Sequence, residues 1–486
     1  MEFVELAPLL ATVADAEEAL SPVQMLPDYN ELSPLVVLSN RIPYVFDGRR
    51  IVRSVSGLVS SVEAGLPGTS RSVWLGWNGS FDNSDTLTCR APGSPATIVG
   101  MSLKREYLES YYSRVCNSYL FPAYCGTREG PTEISGPEWE AYRLVNQIFA
   151  DEACRVAARR ATVWINDFHL QLCPQLIKHE RPDLHVVYFQ HVPFPPAESF
   201  CQIPWWKEIL RGISGADRIG VQTPRDRKNL LEYQTRFLSR DDKFATASQP
   251  KPPEPVENPP IIVAPAEIDT RRWQGLGRDR EIAAKARRLR GLIGNPQHVF
   301  VGVDRLEPTK GIPEKIRAFI ELSNEGTDGL GPMAFLQVAV TSDPCSLHGS
   351  DTLLSHLQGE LSRAAPEAGN VYLTTSPLSR AELAIIYSIA DTLVVTSLSD
   401  GMNLVVKEFI AFKGWDPYKL IVSRSAGVAE DLPTDILVNP RDSHDVVAAM
   451  RRCVSNPRVI HDGSVTRTPQ FVNRNAVEWA HDLLFG

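Results

Sequence analysis

The sequence contains no uninterrupted apolar run near the ~20 residues that a membrane-crossing helix requires. Its first residues, MEFVELAPLLATVADAEEAL, place acidic side chains where a secretion signal carries a basic segment. A cytoplasmic protein without a membrane partner is therefore expected, with residues 1–34 as an amphipathic or frayed N-terminal extension. Paired cysteines are also missing: Cys89, Cys116, Cys125, Cys154, Cys173, Cys201, Cys345 and Cys453 are scattered, with no CxxC. That argues for free thiols in a reducing compartment and against a disulfide or zinc framework. Excess positive charge is absent as well, the net charge being −8 and the pI about 5.8. Nothing in the overall field draws the chain to nucleic acid, so any phosphate must be held by local cations. Finally there is no HExxH, no GxxxxGK[ST], no DxDx[TV] phosphatase signature and no DxD. Neither a metal nor another cofactor is expected, nor a fused phosphatase.

What is present is ordinary globular composition, 43% hydrophobic and 22% charged, in a chain of 486 residues. At roughly 150 residues per domain that length favours two or three lobes, and the pattern favours two. Short β-branched runs alternate with helix-length amphipathic stretches, the pattern of parallel α/β sheets covered by helices. One group of candidate strands comprises Leu35 to Leu38, Val163 to Ile165, Val186 to Phe189 and Ile261 to Val263. A second comprises Val299 to Val303, Phe335 to Val340, Val371 to Leu373, Leu393 to Thr396, Leu420 to Ser423 and Ile436 to Val438. Between the groups runs QPKPPEPVENPP, Gln249 to Pro260, whose prolines bar helix and favour an extended surface segment. The expected division is 35–265 and 266–470, with a hinge near Pro265. A C-terminal helix within 471–486, bearing Val477, Ala480, Leu483 and Leu484 on one side, is expected to pack back on the first lobe. No internal repeat of fixed period is found.

The polar clusters follow the candidate strands directly, where ligands gather in doubly wound sheets. Ser39-Asn40-Arg41, Asn166-Asp167-Phe168-His169 and His191-Val192-Pro193 end strands of the first group. Asp304-Arg305 through Lys310-Gly311 and Ser399-Asp400-Gly401-Met402-Asn403-Leu404 end strands of the second. The stretch Met402 to Phe412 lacks proline and glycine, and as a helix its first turn would offer free N–H groups to an anion. Arg305 and Lys310 could add two cations, each charge-assisted bond being worth roughly 1.5 to 3 kcal/mol. Taken singly, each cluster has an ordinary explanation: a solvated pair for Arg305 and Lys310, helix N-capping for Asp400, buried hydrogen bonding for Asp167, His169 and His191. Their joint occurrence at strand ends favours two rims of a phosphate-binding cleft.

With these segments in place, the chain resembles the trehalose-6-phosphate synthase family of retaining GT-B glucosyltransferases. VVLSNRIP, SGLVS, WLGWNG, NDFHL, FQHVPFP, PWWKEILRGISGAD, VDRLEPTKGIPEKIRAF and SDGMNLVVKEFIA stand in the family's order, from about Leu35 to Phe485. The resemblance implies two Rossmann-like domains whose parallel sheets face a central cleft. It also implies transfer of glucose from UDP-glucose, or another nucleotide glucose such as GDP-glucose, to glucose 6-phosphate. By the same resemblance Arg41 clamps the acceptor phosphate beside Tyr112, Phe121 and, in a gapped alignment, Arg363, while Gly57 belongs to a closing loop on the donor side. Asp167 is implied as the acceptor-hydroxyl ligand and His191 as the residue over the transferred glucose. Arg305 and Lys310 are implied as diphosphate ligands, Asp400, Gly401, Met402, Asn403 and Leu404 as donor-sugar and phosphate ligands, and Glu408 as the ribose carboxylate.

The chain departs from the family at several of these places. A glycine pair is Ser56-Gly57, a histidine is Asn166, a tryptophan is Phe121, and the loop RLDYTKG reads RLEPTKG with Pro308. The base-contacting segment is Thr374-Thr375-Ser376-Pro377-Leu378, one residue longer than usual, which leaves uridine and guanosine both open as the donor base. The implied chemistry is a metal-independent front-face mechanism. Two alternatives stay beside it: a related transferase with another acceptor (a glucosylglycerol-phosphate synthase or a pseudoglycosyltransferase), and a non-catalytic sugar-phosphate sensor. A homo-oligomer is left open.

Overall fold

The computed structural model describes residues 4–14, 24–26, 29–46, 51–53, 57–66, 71–79, 87–90, 96–127, 133–235, 258–324, 331–341, 352–355, 357, 359, 370–414, 416–432, 436–455 and 474–486. Arg363, Ser56, Cys345 and most of the proline-rich segment lie outside these residues. Two compact bodies are formed: Leu20–Ala266 with Ala476–Gly486, and Met1–Ala19 with Glu267–Asn475.

The first body is built on a nine-stranded sheet. In spatial order its strands are Ile261–Val263, Arg218–Val221, His185–Gln190, Ala157–Asn166, Ser33–Arg41, Ser72–Trp77, Ala96–Met101, Leu87–Arg90 and Gln24–Met25. All neighbours are parallel except the last two pairs. The central runs Val36-Val37-Leu38, Val163-Trp164-Ile165 and Val186-Val187-Tyr188-Phe189 are buried throughout, as strands covered on both faces must be. From Ser33–Arg41 the chain builds outward first on one side, through Ser72–Trp77 and Ala96–Met101. It then returns to the other side with Ala157–Asn166, so the order reverses between Ser33–Arg41 and Ala157–Asn166.

The sequence reading did not single out Ser72–Trp77, Ala96–Met101 or Arg218–Val221 as strands, each of which contains a glycine. Gly76 has a packing reason: a Cβ there would lie 2.5 Å from the Ile42 nitrogen and 2.6 Å from the Arg41 carbonyl carbon. The close crossing coincides with a register shift between Leu38 and Arg41, after which pairing resumes with Arg41 opposite Trp77.

The C-terminal helix Ala476–Phe485 belongs to this body. Trp479 packs edge-on to Trp164 and Phe189 and donates its indole N–H to the Ala264 carbonyl at 2.9 Å. Arg218 donates to the Asp482 and Leu483 carbonyls, each at 3.2 Å, and to that of Gly486. Ala480, Leu483 and Leu484 are buried as the periodicity predicts; Val477 is instead 50% exposed, and Trp479 holds the inward position.

The second body carries a seven-stranded, wholly parallel sheet. Its order is Val4–Glu5, Asn370–Thr374, Met333–Val340, His298–Arg305, Thr392–Val395, Lys419–Ser423 and Leu437–Val438. Here the order reverses between His298–Arg305 and Thr392–Val395. The stretch 1–34, set apart as one extension in the sequence reading, is divided in the structure. Val4–Glu5 pairs with Tyr372–Leu373, and Leu6, Leu10 and Val13 enter this body's apolar core. Gln24–Met25 joins the other body's sheet. Among the described residues the seven cysteines are free, and no helix is long and apolar enough to cross a membrane.

Candidate functional site

In each body the polar residues singled out from sequence gather at the carboxyl ends of the two strands where the order reverses, the position at which open α/β sheets bind ligands. In the nine-stranded body Ser33–Arg41 delivers Arg41 and Ala157–Asn166 delivers Asn166 and Asp167. The Arg41 guanidinium lies 4.5 Å from the Trp77 ring centroid and 5.5 Å from that of Tyr112. Such stacking holds a planar cation without cancelling its charge. Tyr112 sits in a π-helical stretch, Leu108–Leu120, and stacks on His169 with centroids 6.0 Å apart. Tyr111, its buried neighbour, donates to the Asn40 side-chain oxygen at 2.7 Å, fixing the residue before Arg41. Phe121 packs against Phe168 at 5.9 Å and is half-buried.

Asp167 has φ +73°, one of four described non-glycine residues in the left-handed region; Asn403 is another. A strained residue at each reversal point is an observation from which function is reasonably inferred. Asp167 Oδ1 accepts the backbone N–H groups of His191 (3.1 Å) and Val192 (3.3 Å). His191 is half-buried, and loss of hydration pushes its imidazole down to about 3, so the ring is neutral near neutral pH. Its tautomer follows from Asn166. The Asn166 amide nitrogen donates to the Leu38 carbonyl at 3.1 Å, which leaves Oδ1 facing His191 Nε2 at 2.9 Å. Nε2 therefore carries the proton, and Nδ1 is the acceptor. The exchange of histidine for Asn166, seen in sequence only as a departure, thus sets the protonation of the neighbouring ring.

Gly57 is exposed and begins the helix Gly57–Gly65. Arg363 is outside the described residues.

In the seven-stranded body, Arg305 ends His298–Arg305, is exposed, and pairs with Glu307 at 2.8 Å. A single helical turn, Pro308–Lys310, then leads to Gly311 at φ +60°. A Cβ at Gly311 would stand 2.0 Å from the Thr396 carbonyl oxygen, so only glycine lets the two loops meet. Thr396 Oγ1 donates to the Gly311 carbonyl at 2.6 Å, and Leu398 N–H to that of Thr309 at 2.7 Å. The laced loops place Lys310 Nζ 2.7 Å from Asp400 Oδ2, which also accepts from Ser397 Oγ (3.2 Å) and Asn403 Nδ2 (3.1 Å). Burial works to raise the Asp400 carboxyl. The Lys310 charge and hydrogen bond, then Asn403 and Arg305, outweigh it and hold it below the usual carboxylate range.

The helix after this loop spans Leu404–Lys413, shorter at its start than the sequence reading of Met402 to Phe412. Its N-cap is Asn403, whose side chain accepts from Val406 N–H at 3.2 Å. The ordinary capping role considered for Asp400 thus falls to Asn403, and Asp400 is free to hold Lys310. Gly401 and Met402 are buried in the turn between them, and Leu404 opens the helix. One turn on, Glu408 accepts from the buried Tyr387 hydroxyl at 3.3 Å, and burial pushes its carboxyl up to about 7. The structure brings Lys310, Asp400 and Asn403 together directly. It adds three residues the sequence reading did not name: Ser397, Tyr387, and Trp77 under Arg41. Only the last left a signal, the WLGWNG motif.

Known proteins resemble the chain over nearly its whole length. The sequence model of glycosyltransferase family 20 matches residues 33–484. The chain belongs to that family. It is 33% identical over 470 residues to the trehalose-6-phosphate synthase of Mycolicibacterium smegmatis, covering 93% of this chain and 92% of the relative. Among solved structures it is similar to a trehalose-6-phosphate synthase, OtsA, with TM-score 0.79, 25% identity, and 92% and 98% of the two chains covered. The α,α-trehalose-phosphate synthase (UDP-forming) of Burkholderia xenovorans in complex with glucose-6-phosphate gives TM-score 0.79 at 23% identity over 92% and 98%, a likeness of fold. The protein is a glycosyltransferase with the two Rossmann-like domains of the GT-B class.

Proposed function

We propose that the chain transfers glucose from UDP-glucose to glucose 6-phosphate with retention, giving α,α-trehalose 6-phosphate, by a front-face route that requires no metal. The observation that carries this reading is the Lys310–Asp400–Asn403 network at the reversal point of the seven-stranded sheet, directly before a helix N-terminus. As the sugar–phosphate bond breaks, negative charge grows on the leaving diphosphate. Lys310, Arg305 and the N–H groups opening Leu404–Lys413 stabilise that charge in a preorganised setting. The same phosphate oxygen takes the proton of the incoming hydroxyl, so no separate general base is needed, and attack from the face the diphosphate leaves retains configuration without a carboxylate nucleophile. Glu408 accepts ribose hydroxyls. On the acceptor side Arg41 takes the 6-phosphate, Asp167 orients the attacking hydroxyl, and neutral His191 presents Nδ1 as an acceptor for a donor-sugar hydroxyl.

The names of the relatives support both substrates: one is called UDP-forming and was solved with glucose-6-phosphate. GDP-glucose is the second donor reading, favoured by the lengthened 374–378 loop, which lacks basic and aromatic side chains. The test incubates the protein with glucose 6-phosphate and each of UDP-, GDP- and ADP-glucose, in EDTA, following nucleotide release and product mass. A disaccharide phosphate formed fastest from UDP-glucose is expected. Nucleotide release without that product would overturn the acceptor, and loss of turnover in EDTA would overturn the metal-independent route.

A further inference from the structure

The segment 4–14 precedes the residues that the family shares, which begin at 33, yet it is built into the seven-stranded body. Val4–Glu5 adds a parallel edge strand, in register with Tyr372 and Leu373. The chain turns at Glu5 into the helix Leu6–Ala11, whose Leu6 and Leu10 are buried. Because the pairing is parallel, this turn falls at the carboxyl end of the sheet, level with the point where Asn370–Thr374 gives way to the 374–378 loop. The segment meets the start of that loop by strand pairing, and the loop's other end is buried in the same large apolar core of this body. Leu373, at its start, pairs with Glu5. Leu378, at its end, is buried in the same apolar cluster as Leu6, Leu10, Val13 and Tyr372. Inside the loop Thr374 Oγ1 accepts Ser376 N–H at 3.2 Å, and Ser379 then caps the helix Arg380–Ile389 through a reciprocal bond with Glu382. That helix carries Tyr387, which holds Glu408.

We infer that residues 4–14 are a positioning arm: they fix the 374–378 loop and its following helix, and so tune recognition of the nucleotide part of the donor. An edge strand that only protected the sheet from pairing with other chains would not need the buried helix that follows it, packed on the strand leading into the loop. The inference rests on the donor reading above.

The test measures UDP, GDP and glucose 6-phosphate binding by calorimetry, each ligand alone, on the unaltered protein and on Leu6→Ala/Leu10→Ala. A control, Met450→Ala, removes a buried side chain from the helix Ser443–Ser455 elsewhere in the same body. The arm variant is expected to weaken nucleotide binding by about fivefold or more while leaving glucose 6-phosphate within about twofold, and the control to lower Tm without weakening UDP. Hydrogen exchange on the unaltered chain supplies a readout that needs no variant. Coupling is reciprocal, so saturating UDP should slow exchange of the amides in 4–14 and glucose 6-phosphate should not. Nucleotide affinity unchanged in the arm variant, equal weakening in the control, or exchange in 4–14 indifferent to UDP would each overturn the arm's role. If the unaltered chain bound neither UDP nor GDP, the donor reading itself would fall, and the arm's role with it.

Discussion

The two reversal points hold their key groups by different means. In the nine-stranded body a carboxylate, Asp167, is held by two backbone amides, and a cation, Arg41, lies against the rings of Trp77 and Tyr112. In the seven-stranded body carboxylate and cation hold each other, Asp400 against Lys310, with Ser397 and Asn403 completing the set. The first arrangement depends on backbone hydrogen bonds and ring packing. The second can exchange partners, since an arriving diphosphate can share Lys310 while Asp400 keeps its two neutral donors. A site that must pass from a resting ion pair to a loaded anion has reason to be of the second kind. On the proposed reading, a pocket for the acceptor's unchanging phosphate has reason to be of the first.

That contrast can be broken by substitution. The largest effect is expected for Lys310→Ala, which should lower kcat by about 10²- to 10³-fold and leave the KM for glucose 6-phosphate nearly unchanged. Unchanged kcat with only a raised donor KM would mean that Lys310 binds without assisting departure. Because the alanine also strands Asp400, Asp400→Asn and the double variant should be measured beside it. Strong non-additivity is expected for a coupled pair.

Arg41→Lys keeps the charge and loses the planar fork and ring stacking, so the acceptor KM is expected to rise about tenfold with a smaller change in kcat. If lysine serves equally well, the aromatic faces contribute nothing beyond charge.

A third variant, Asn166→Asp, sharpens the comparison by placing charge beside His191 in the nine-stranded body. A carboxylate beside Nε2 favours the imidazolium, so the His191 pKa should rise from about 3 toward neutrality. A new titration in the kcat/KM profile at acid to neutral pH, absent from the unaltered enzyme, is the expected sign. Its absence would show that Asn166 does not set the ring's protonation.

The smallest effect concerns stability. Glu408 has its folded pKa raised from 4.5 to about 7, so its contribution is fully present below the unfolded value and is lost as pH rises through about 7. His191 has its pKa lowered, so stability tied to its neutral ring is present above about 6.5 and lost as pH falls toward 3. Glu408→Gln should therefore flatten the decline of Tm between about pH 5 and 8 and leave the acid limb in place. A decline of the same slope in the variant would contradict the assignment.

Much of this was legible in the chain. Fully buried parallel strands leave continuous runs such as VVL and VVYF, and the polar residues that end them are conspicuous because they stop those runs. Ser72–Trp77 lacks such a run, and its Gly76 answers to the Arg41–Ile42 backbone that crosses it, a contact 35 residues back in sequence. The partners of the site were less legible for a related reason. Asp400 before a helix reads as a cap until Asn403 is seen in that place, and Tyr387 reads as core until its hydroxyl is found on Glu408. The segment 4–14 read as an extension because two strand residues are too few to show a period.

The central claim is that each body holds its own substrate: the donor diphosphate at Lys310, the acceptor phosphate at Arg41. Titrating UDP and glucose 6-phosphate separately into Lys310→Ala and Arg41→Ala tests it most directly. The expected result is that Lys310→Ala loses UDP affinity and keeps glucose 6-phosphate, while Arg41→Ala does the reverse. Both variants weakening the same ligand, or the pattern inverted, would contradict the account.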